Sequence, residues 1–204
     1  GKLEDVHKRL NFLKLNGNIG VGHCRWSTHG GVTEKNAHPH VDCKNKISLV
    51  HNGIIENYSE LKDILVKKRH KFYSQTDTEV IAHLIEEHLD GRKIDNAVRA
   101  ALSRVEGSYA LGILYADEPN KLIAARNESP LIIGLGKNEN FIASDVPSIL
   151  SYTNKVIYLE DKEIAVLTKD HCIVYDLQGK EKKKKIHTIH WSAEAAQKSG
   201  YKHF

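Results

Sequence analysis

The second half of the chain is a series of short apolar segments separated by turn residues, and this feature constrains the fold most strongly. Short runs bounded by turn signals such as 117–120 and 136–138 predict β-strands. The run 109–115 lacks a clean apolar–polar alternation, which is typical of a strand covered on both faces. We expect strands at 109–115, 121–125, 131–135, 140–143, 156–159, 163–167 and 172–175.

Three amphipathic segments precede these strands. Residues 58–68, 80–89 and 95–105 place apolar side chains at helical spacing, and Thr76 with Glu79 fits a capping box before the second helix. The simplest layering that buries every apolar face is two sheets packed on each other, with the helices over one outer face. The sequence therefore predicts an α+β fold.

The first fifty residues predict smaller elements. Residues 3–15 predict a short helix that ends at Gly17, and residues 18–24 predict a strand that carries two glycines. A second strand is expected at 46–50. It leads into Asn52-Gly53, a pair that predicts a tight turn, either a hairpin corner or a place where backbone N–H groups point outward.

Composition and charge exclude several classes of protein. With 204 residues, 40% of them hydrophobic and 27% charged, the chain fits one globular domain. The net charge is only +4, and the basic residues are mostly interleaved with acidic ones, so nucleic-acid binding is not expected. No apolar run is long enough to cross a bilayer. Three scattered cysteines without a Cys-x-x-Cys pair indicate neither a disulfide framework nor a metal site, and we expect a cytoplasmic protein.

The loop at 25–40 concentrates groups that bind anions. Arg25, Thr28 and His29 offer a guanidinium, a hydroxyl and an imidazole, and Gly30-Gly31 allows a tight turn after them. An arginine fork matches a carboxylate or a phosphate. Single histidines and arginines on loops are usually only solvated, but their concentration here favours a site for a small ligand that carries a carboxylate.

Seven motifs stand in order along nearly the whole chain. They are Arg25-Trp26-Ser27-Thr28-His29-Gly30, Asn36-Ala37-His38-Pro39-His40, His51-Asn52-Gly53-Ile54-Ile55-Glu56-Asn57, Thr76-Asp77-Thr78-Glu79-Val80, Gly107-Ser108-Tyr109-Ala110, Ser129-Pro130-Leu131 and Ala143-Ser144-Asp145. Together they resemble the glutaminase domain of the glutamine–fructose-6-phosphate aminotransferases, which are class II glutamine amidotransferases.

The resemblance implies a fold and a function. The fold is an N-terminal-nucleophile hydrolase-like αββα sandwich, with a glutaminase domain over 1–190 and the beginning of a linker at 191–204. The parent enzyme would transfer the amide nitrogen of L-glutamine to fructose 6-phosphate, giving glucosamine 6-phosphate and glutamate, without a metal or an organic cofactor. Its partner would be a sugar isomerase domain of the same polypeptide, absent from this sequence, and the parent is expected to be a homo-oligomer.

The resemblance also assigns the residues that hold the substrate. Arg25, aided by Thr28 and His29, would bind the α-carboxylate of glutamine, for which a guanidinium fork is suited. Asp77 would bind the α-ammonium group, because a buried cation needs a carboxylate partner.

A second set of assignments concerns the reacting amide. Asn52 and Gly53 correspond to the oxyanion hole, with one side-chain amide and one backbone N–H aimed at the tetrahedral oxygen. Trp26 would line the pocket. His38 would either position the loop or contact the substrate.

One family feature is missing from the sequence. The family's nucleophile is an N-terminal cysteine, whereas this sequence begins with a segment that resembles family sequence further downstream, so we expect a truncated, inactive fragment. Cys24 is expected to be a small core residue, on a strand whose neighbouring His23 faces the other side. Two alternatives remain open: the glutaminase domain of an amidophosphoribosyltransferase, and a glutamine-binding module without chemistry of its own.

Overall fold

The computed structural model describes residues 3–11, 14, 16–24 and 29–190. Within these ranges the helices are α1 (Leu3–Leu10), α2 (Tyr58–Lys67), α3 (Glu79–Leu89) and α4 (Ile94–Leu102), and a 3-10 turn covers Glu34–Asn36. The strands are β1 (His40–Val41), β2 (Ile47–Ile55), β3 (Gly107–Tyr115), β4 (Leu122–Asn127), β5 (Ile132–Leu135), β6 (Asn140–Ala143), β7 (Lys155–Tyr158), β8 (Glu163–Leu167), β9 (Cys172–Asp176), β10 (Glu181–Lys182) and β11 (His187–Thr188).

The described strands form two antiparallel sheets. The larger sheet has the order β1-β2-β3-β4-β8-β9-β10, and the smaller has the order β11-β7-β5-β6. In the larger sheet β2 and β3 pair along their whole length, from Ile47 opposite Tyr115 to Ile55 opposite Gly107. The helices α2, α3 and α4 lie in the chain between these two strands.

Alternate residues of the central strands face two different cores. Leu49, Leu111 and Ile123 pack with the buried side chains of α2, α3 and α4. Ala110 faces the other way and packs with residues of the smaller sheet such as Ile133. The layers are therefore helices, large sheet and small sheet, which confirms the predicted α+β class and the face-to-face packing of the sheets.

Most of the predicted elements are confirmed. The three amphipathic helices form with ends shifted by no more than three residues, and all seven strands predicted after Ser108 are present. The short strands β1, β10 and β11 were not predicted, since two residues are too few to show an alternating pattern. In the part of the chain that the structure describes, no helix has both the length and the apolar character that crossing a bilayer requires.

Two predictions for the N-terminal part are wrong. Helix α1 ends at Leu10 rather than near Gly17, because Asn11 has a φ of +47° and so leaves the right-handed helix. Residues 18–24 are irregular chain and not a strand. Within them Val21 packs against the core between the sheets, whereas its neighbouring glycines offer no side chain to bury, so little favours pairing with a sheet.

The predicted turn at Asn52-Gly53 is also wrong. Strand β2 continues through both residues to Ile55, with Asn52 opposite Ala110 and Gly53 opposite Tyr109. Gly53 has a φ of +136°, so the backbone is distorted within the strand and the chain does not reverse. The pairing with β3 on both sides of the glycine overrides the local tendency to turn.

The capping box of Thr76 and Glu79 does not form. The carboxylate of Glu79 instead accepts hydrogen bonds from the N–H groups of Tyr73 (2.8 Å) and Ser74 (2.7 Å). The Thr76 hydroxyl lies 3.0 Å from Nε2 of His40. Both side chains therefore fix the segment that leads into α3, whose N-cap residue is Thr78.

Candidate functional site

A hollow of about 300 Å³ opens where β2, β3 and the start of α3 meet. Of the residues that the sequence singled out, His29, His38, Asn52, Gly53 and Asp77 all line it. These residues are up to 48 positions apart in the chain, and the β2–β3 pairing and the 74–79 segment bring them together. Their roles remain predictions, but their common location is what a single binding site requires.

The Asn52 side chain is held in one orientation. Its Oδ1 lies 2.7 Å from Nε2 of His23, and its Nδ2 donates to Oγ of Ser144 at 3.2 Å. The imidazole N–H therefore donates to Oδ1, and the amide N–H₂ group is turned toward Ser144.

Gly53 could not be replaced by another residue without a shift of the backbone. A Cβ atom at this position would lie 2.2 Å from the carbonyl oxygen of Ser108, and the φ of +136° is one that side chains rarely allow. Ser108 also fixes the next residue, because its Oγ accepts the N–H of Ile54 at 3.2 Å. The backbone at the floor of the hollow is thus set by glycine and by close contact with β3.

Asp77 is a buried carboxylate with unused capacity. Its side chain is 4% exposed. Oδ2 accepts the N–H of Ile55 at 2.8 Å, whereas among the described residues Oδ1 has only longer contacts, with Oγ1 of Thr78 at 3.5 Å and Nδ1 of His29 at 3.9 Å. A buried negative charge with so few donors attracts a cation, so this wall of the hollow is suited to an ammonium group.

His51 forms the rigid base of the site and is kept neutral. Burial lowers its pKa below the ordinary value of 6.5, and this effect outweighs the opposing charge of Asp77. Its Nε2 lies 3.3 Å from the carbonyl oxygen of Ser108, and its Nδ1 lies 2.9 Å from Oγ1 of Thr78. A proton on Nε2 with Nδ1 as acceptor satisfies both contacts.

His38 has a positioning contact of its own. Its Nδ1 accepts the backbone N–H of His51 at 3.1 Å, and its ring stacks on that of His23 with centroids 4.2 Å apart. His23 in turn holds Asn52, and its Nδ1 is buried without a hydrogen-bond partner among the described residues. Both outcomes predicted for His38 stay open, because it lines the hollow and also fixes its wall.

Some of the predicted residues are not among those that the structure describes, and the prediction for one other residue is corrected. Arg25, Trp26 and Thr28 lie outside the described residues, as does the predicted linker at 191–204. Cys24 is exposed, so the prediction that it is a small core residue is wrong. The reason is the same as for the missing strand: residue 24 lies on irregular chain, where no sheet covers it.

Five residues of the site were not singled out by the sequence. They are His23, His51, Thr78, Ser108 and Ser144. His51, Thr78, Ser108 and Ser144 stand inside the quoted motifs, beside residues that were chosen, so the signal was present. What the sequence did not show is which motif residues support the others.

The antiparallel sheets, the helices on one face and a hollow that sets an amide beside a buried carboxylate agree with one family. A model described as a glutamine amidotransferase domain matches residues 23–151. The chain belongs to this family. The match covers α2, α3, β2 and β3 and thus every described residue of the hollow.

Individual relatives sharpen this assignment. The chain is 55% identical to the glutamine–fructose-6-phosphate aminotransferase (isomerizing) of Thermococcus kodakarensis, 53% to that of Pyrococcus horikoshii and 48% to that of Clostridium tetani. Each match covers 100% of this chain but only 34%, 34% and 33% of the respective relative. The chain therefore spans about a third of the length of these relatives.

Solved structures show the same fold at lower identity. A glutamine phosphoribosylpyrophosphate amidotransferase from B. subtilis matches with a TM-score of 0.63 and 25% identity, over 76% of this chain and 34% of that one. A glutamine aminotransferase class-II domain protein from Silicibacter pomeroyi matches with a TM-score of 0.51 and 17% identity, over 68% and 70%. Both support the predicted N-terminal-nucleophile type of fold.

Proposed function

We propose that the hollow binds L-glutamine, with its α-ammonium group at Asp77 and its side-chain amide beside Asn52 and Gly53. The observation that carries the proposal is the placement of a buried, under-used carboxylate and a fixed amide donor around one hollow. Arg25, Thr28 and His29 would bind the α-carboxylate. Of these, His29 lies beside Asp77, where an amino acid would present both of its charged groups.

The site would then act as the glutaminase half of an amide transfer. Attack on the glutamine side-chain amide places a negative charge on its oxygen, and hydrogen bonds from the Asn52 amide and the Gly53 backbone would stabilise that charge. Loss of one such donor typically costs about 10²–10³-fold in rate. The Asn52 donor is preorganised by His23 and Ser144, so little reorganisation is needed as the charge develops.

We further propose that the whole protein delivers the released nitrogen to fructose 6-phosphate and forms glucosamine 6-phosphate. Support comes from the relatives, which carry that activity in their names and match this chain at 47–55% identity. A glutaminase domain over 1–190, a linker at 191–204, an isomerase domain, a homo-oligomeric assembly and a cytoplasmic location belong to the same proposal. The phosphoribosyl alternative has weaker support, because that relative is 25% identical.

Calorimetry with matched ligands tests the binding proposal. L-Glutamine is expected to bind this chain, whereas glutaramate, which keeps the amide and carboxylate but lacks the α-ammonium group, is expected to bind at least about 100-fold more weakly, since a buried carboxylate would be left without its cation. D-Glutamine serves as the control for shape. Equal affinity for L-glutamine and glutaramate would contradict the role of Asp77.

Product analysis of the full-length gene product tests the reaction. We expect glutamine-dependent formation of glucosamine 6-phosphate from fructose 6-phosphate, and Asn52→Ala is expected to reduce kcat about 10²–10³-fold with little change in KM for glutamine. Amine transfer to phosphoribosyl pyrophosphate instead would favour the alternative family. Glutamine binding without ammonia release would favour the binding module.

A further inference from the structure

A second group of polar side chains lies outside the hollow, and we call it the Cys43 cluster. It consists of Cys43, His70, His83 and Glu86, each of which places one potential ligand atom within 4.8 Å of all the others. Cys43 lies between β1 and β2, His70 follows α2, and the other two residues stand three positions apart on α3. Three separate segments of the chain therefore meet at this point.

Five of the six distances between the ligand atoms are close to those of a tetrahedral site, and the sixth, between Sγ of Cys43 and the Glu86 oxygen, is within 4.8 Å. Sγ of Cys43 lies 3.5 Å from Nδ1 of His83 and 3.7 Å from Nδ1 of His70, and the two Nδ1 atoms are 3.3 Å apart. Oε2 of Glu86 lies 3.3 Å from Nδ1 of His70 and 3.6 Å from that of His83. Tetrahedral zinc, with Zn–N bonds of about 2.0–2.1 Å and Zn–S bonds of about 2.3 Å, separates its ligand atoms by about 3.3–3.6 Å.

Carboxylates lie behind both imidazoles. Nε2 of His70 is 3.1 Å from Oε2 of Glu87, and Nε2 of His83 is 3.5 Å from Oε1 of Glu79. Such carboxylates favour a proton on each Nε2, which leaves a lone pair on each Nδ1. With a proton on each Nε2, two lone pairs and the Glu86 oxygen lie close together, an arrangement that a cation between them would stabilise.

Backbone hydrogen bonds fix the position of Cys43 and of its thiol. Sγ of Cys43 accepts the N–H of Lys71 at 3.4 Å, and the N–H of Cys43 donates to Oε2 of Glu86 at 3.1 Å. The turn that carries Cys43 is fixed by Asp42, whose Oδ1 accepts the N–H of Lys46 at 2.7 Å. Cys43 itself is exposed, which gives an ion a path into the cluster.

We propose that the Cys43 cluster binds one Zn²⁺ ion in a closed, four-coordinate structural site. Zinc bonds to Sγ of Cys43, Nδ1 of His70 and His83, and Oε2 of Glu86, and the proton of the Cys43 thiol passes to the solvent. One thiolate and one carboxylate balance the charge of the ion. The site ties the β1–β2 turn and the α2–α3 connection to α3, and it uses soft and nitrogen ligands that suit zinc better than magnesium or calcium.

The spacing explains why the sequence did not reveal this site. The ligands stand 27, 13 and 3 positions apart, with no Cys-x-x-Cys pair, so the cysteine pattern indicated no metal. The two helical ligands, His83 and Glu86, share a face only because α3 forms, and the other two reach them through loops.

Zinc titration of the untagged, metal-free chain tests the proposal. We expect one zinc per chain by elemental analysis and a higher Tm with ZnCl₂, because the ion binds the folded state. Cys43→Ser and Glu86→Gln are expected to weaken zinc binding at least about 10-fold. Cys24→Ser removes the other exposed thiol and is expected to leave zinc binding unchanged, and circular dichroism checks that each variant is folded.

Cobalt supplies an independent readout. With Co²⁺ in place of zinc, we expect a thiolate-to-cobalt absorption band that is lost in Cys43→Ser and kept in Cys24→Ser. The proposal is overturned if folded wild-type chain binds no stoichiometric zinc, which would mean that a proton fills the cluster. It is equally overturned if Cys43→Ser and His70→Gln bind zinc as the wild type does, which would place the ion among other histidines.

Discussion

Asp77 and Glu79 stand two residues apart at the start of α3, and each is 3% exposed, yet their surroundings differ. Glu79 is saturated with donors, since Tyr73 N–H, Ser74 N–H and the Ser74 hydroxyl all bind its carboxylate. Within the described part of the chain, Asp77 accepts one short backbone hydrogen bond, from Ile55, and it also lines the hollow. The Glu79 carboxylate supports the scaffold, whereas the Asp77 carboxylate lines the hollow.

The difference shows that the hydrogen bonds of a buried carboxylate indicate whether it has room for a further partner. Burial acts to raise the pKa of Glu79, but the neighbouring His83 imidazole and hydrogen bonds from Ser74 and the backbone outweigh it and lower the pKa to about 2. A carboxylate whose negative charge is already stabilised to this degree gains little from binding a further cation. Burial alone therefore does not distinguish the two carboxylates. The number of hydrogen-bond donors that already contact each of them does.

The largest expected effect tests the unsaturated carboxylate. Asp77→Asn removes the charge but keeps an oxygen for the Ile55 N–H, so affinity for L-glutamine is expected to fall at least about 100-fold while Tm changes little. Calorimetry and thermal unfolding measure the two quantities. Affinity for glutaramate is expected to be nearly unchanged, and a parallel loss for both ligands would contradict the pairing with the ammonium group.

The same isosteric change at the saturated carboxylate is expected to act on stability. Glu79→Gln turns an amide N–H₂ toward the donors of Tyr73 and Ser74, so the free energy of unfolding at pH 7 is expected to drop by roughly 3 kcal/mol. Urea unfolding measures the loss. Glu60→Gln, on the exposed side of α2, is the control and is expected to stay within about 0.5 kcal/mol of the wild type.

A pair of glycine substitutions separates backbone strain from steric contact. Gly53→Ala is expected to cost more than about 2 kcal/mol, because the new Cβ would meet Ser108 O at 2.2 Å and φ is +136°. Gly91→Ala has a φ of +68° but nothing within 4 Å, so only about 1–2 kcal/mol is expected. Chemical denaturation measures both losses in the free energy of unfolding. Equal losses for the two variants would mean that the close contact between position 53 and Ser108 does not contribute.

The stability of the chain is also expected to depend on pH, in two windows whose effect per pH unit is small. The folded-state pKa of His51 lies below its ordinary 6.5, so the unfolded chain binds more protons and stability declines as pH falls below about 6.5. Glu79, with a folded pKa of about 2 against 4.5, adds a decline between pH 4.5 and 2. Each proton contributes at most about 1.4 kcal/mol per pH unit. Urea unfolding at a series of pH values measures this dependence. In Glu79→Gln the free energy of unfolding should decline less between pH 4.5 and 2, and an unchanged decline would refute the low pKa of Glu79.

Much of the fold was predictable because apolar pattern and turn residues act locally. The runs 140–143 and 163–167 became β6 and β8 with the predicted ends. The failures occurred where tertiary contact overrides a local preference: Asn52-Gly53 extends along β3 instead of turning, and Glu79 binds Tyr73 and Ser74 instead of capping a helix.

The candidate site was predicted in part. The motifs pointed to Asn52, Gly53 and Asp77, and the structure places all three around one hollow. The motifs did not reveal that His23 orients Asn52, since 29 residues separate the two. A contact between distant segments leaves no local signature in a single sequence, whereas a helix or a strand does.

By itself the sequence determined the class of fold, the family and the residues worth attention, because hydrophobic periodicity and motif order are properties of the chain. Only the tertiary structure decided which of two buried carboxylates faces the hollow and which side chains, from three separate segments, meet in the Cys43 cluster. The physical reason is that saturation of a carboxylate and the spacing of ligand atoms depend on angstrom-scale contacts between segments. Those contacts exist only after the helices and sheets have packed.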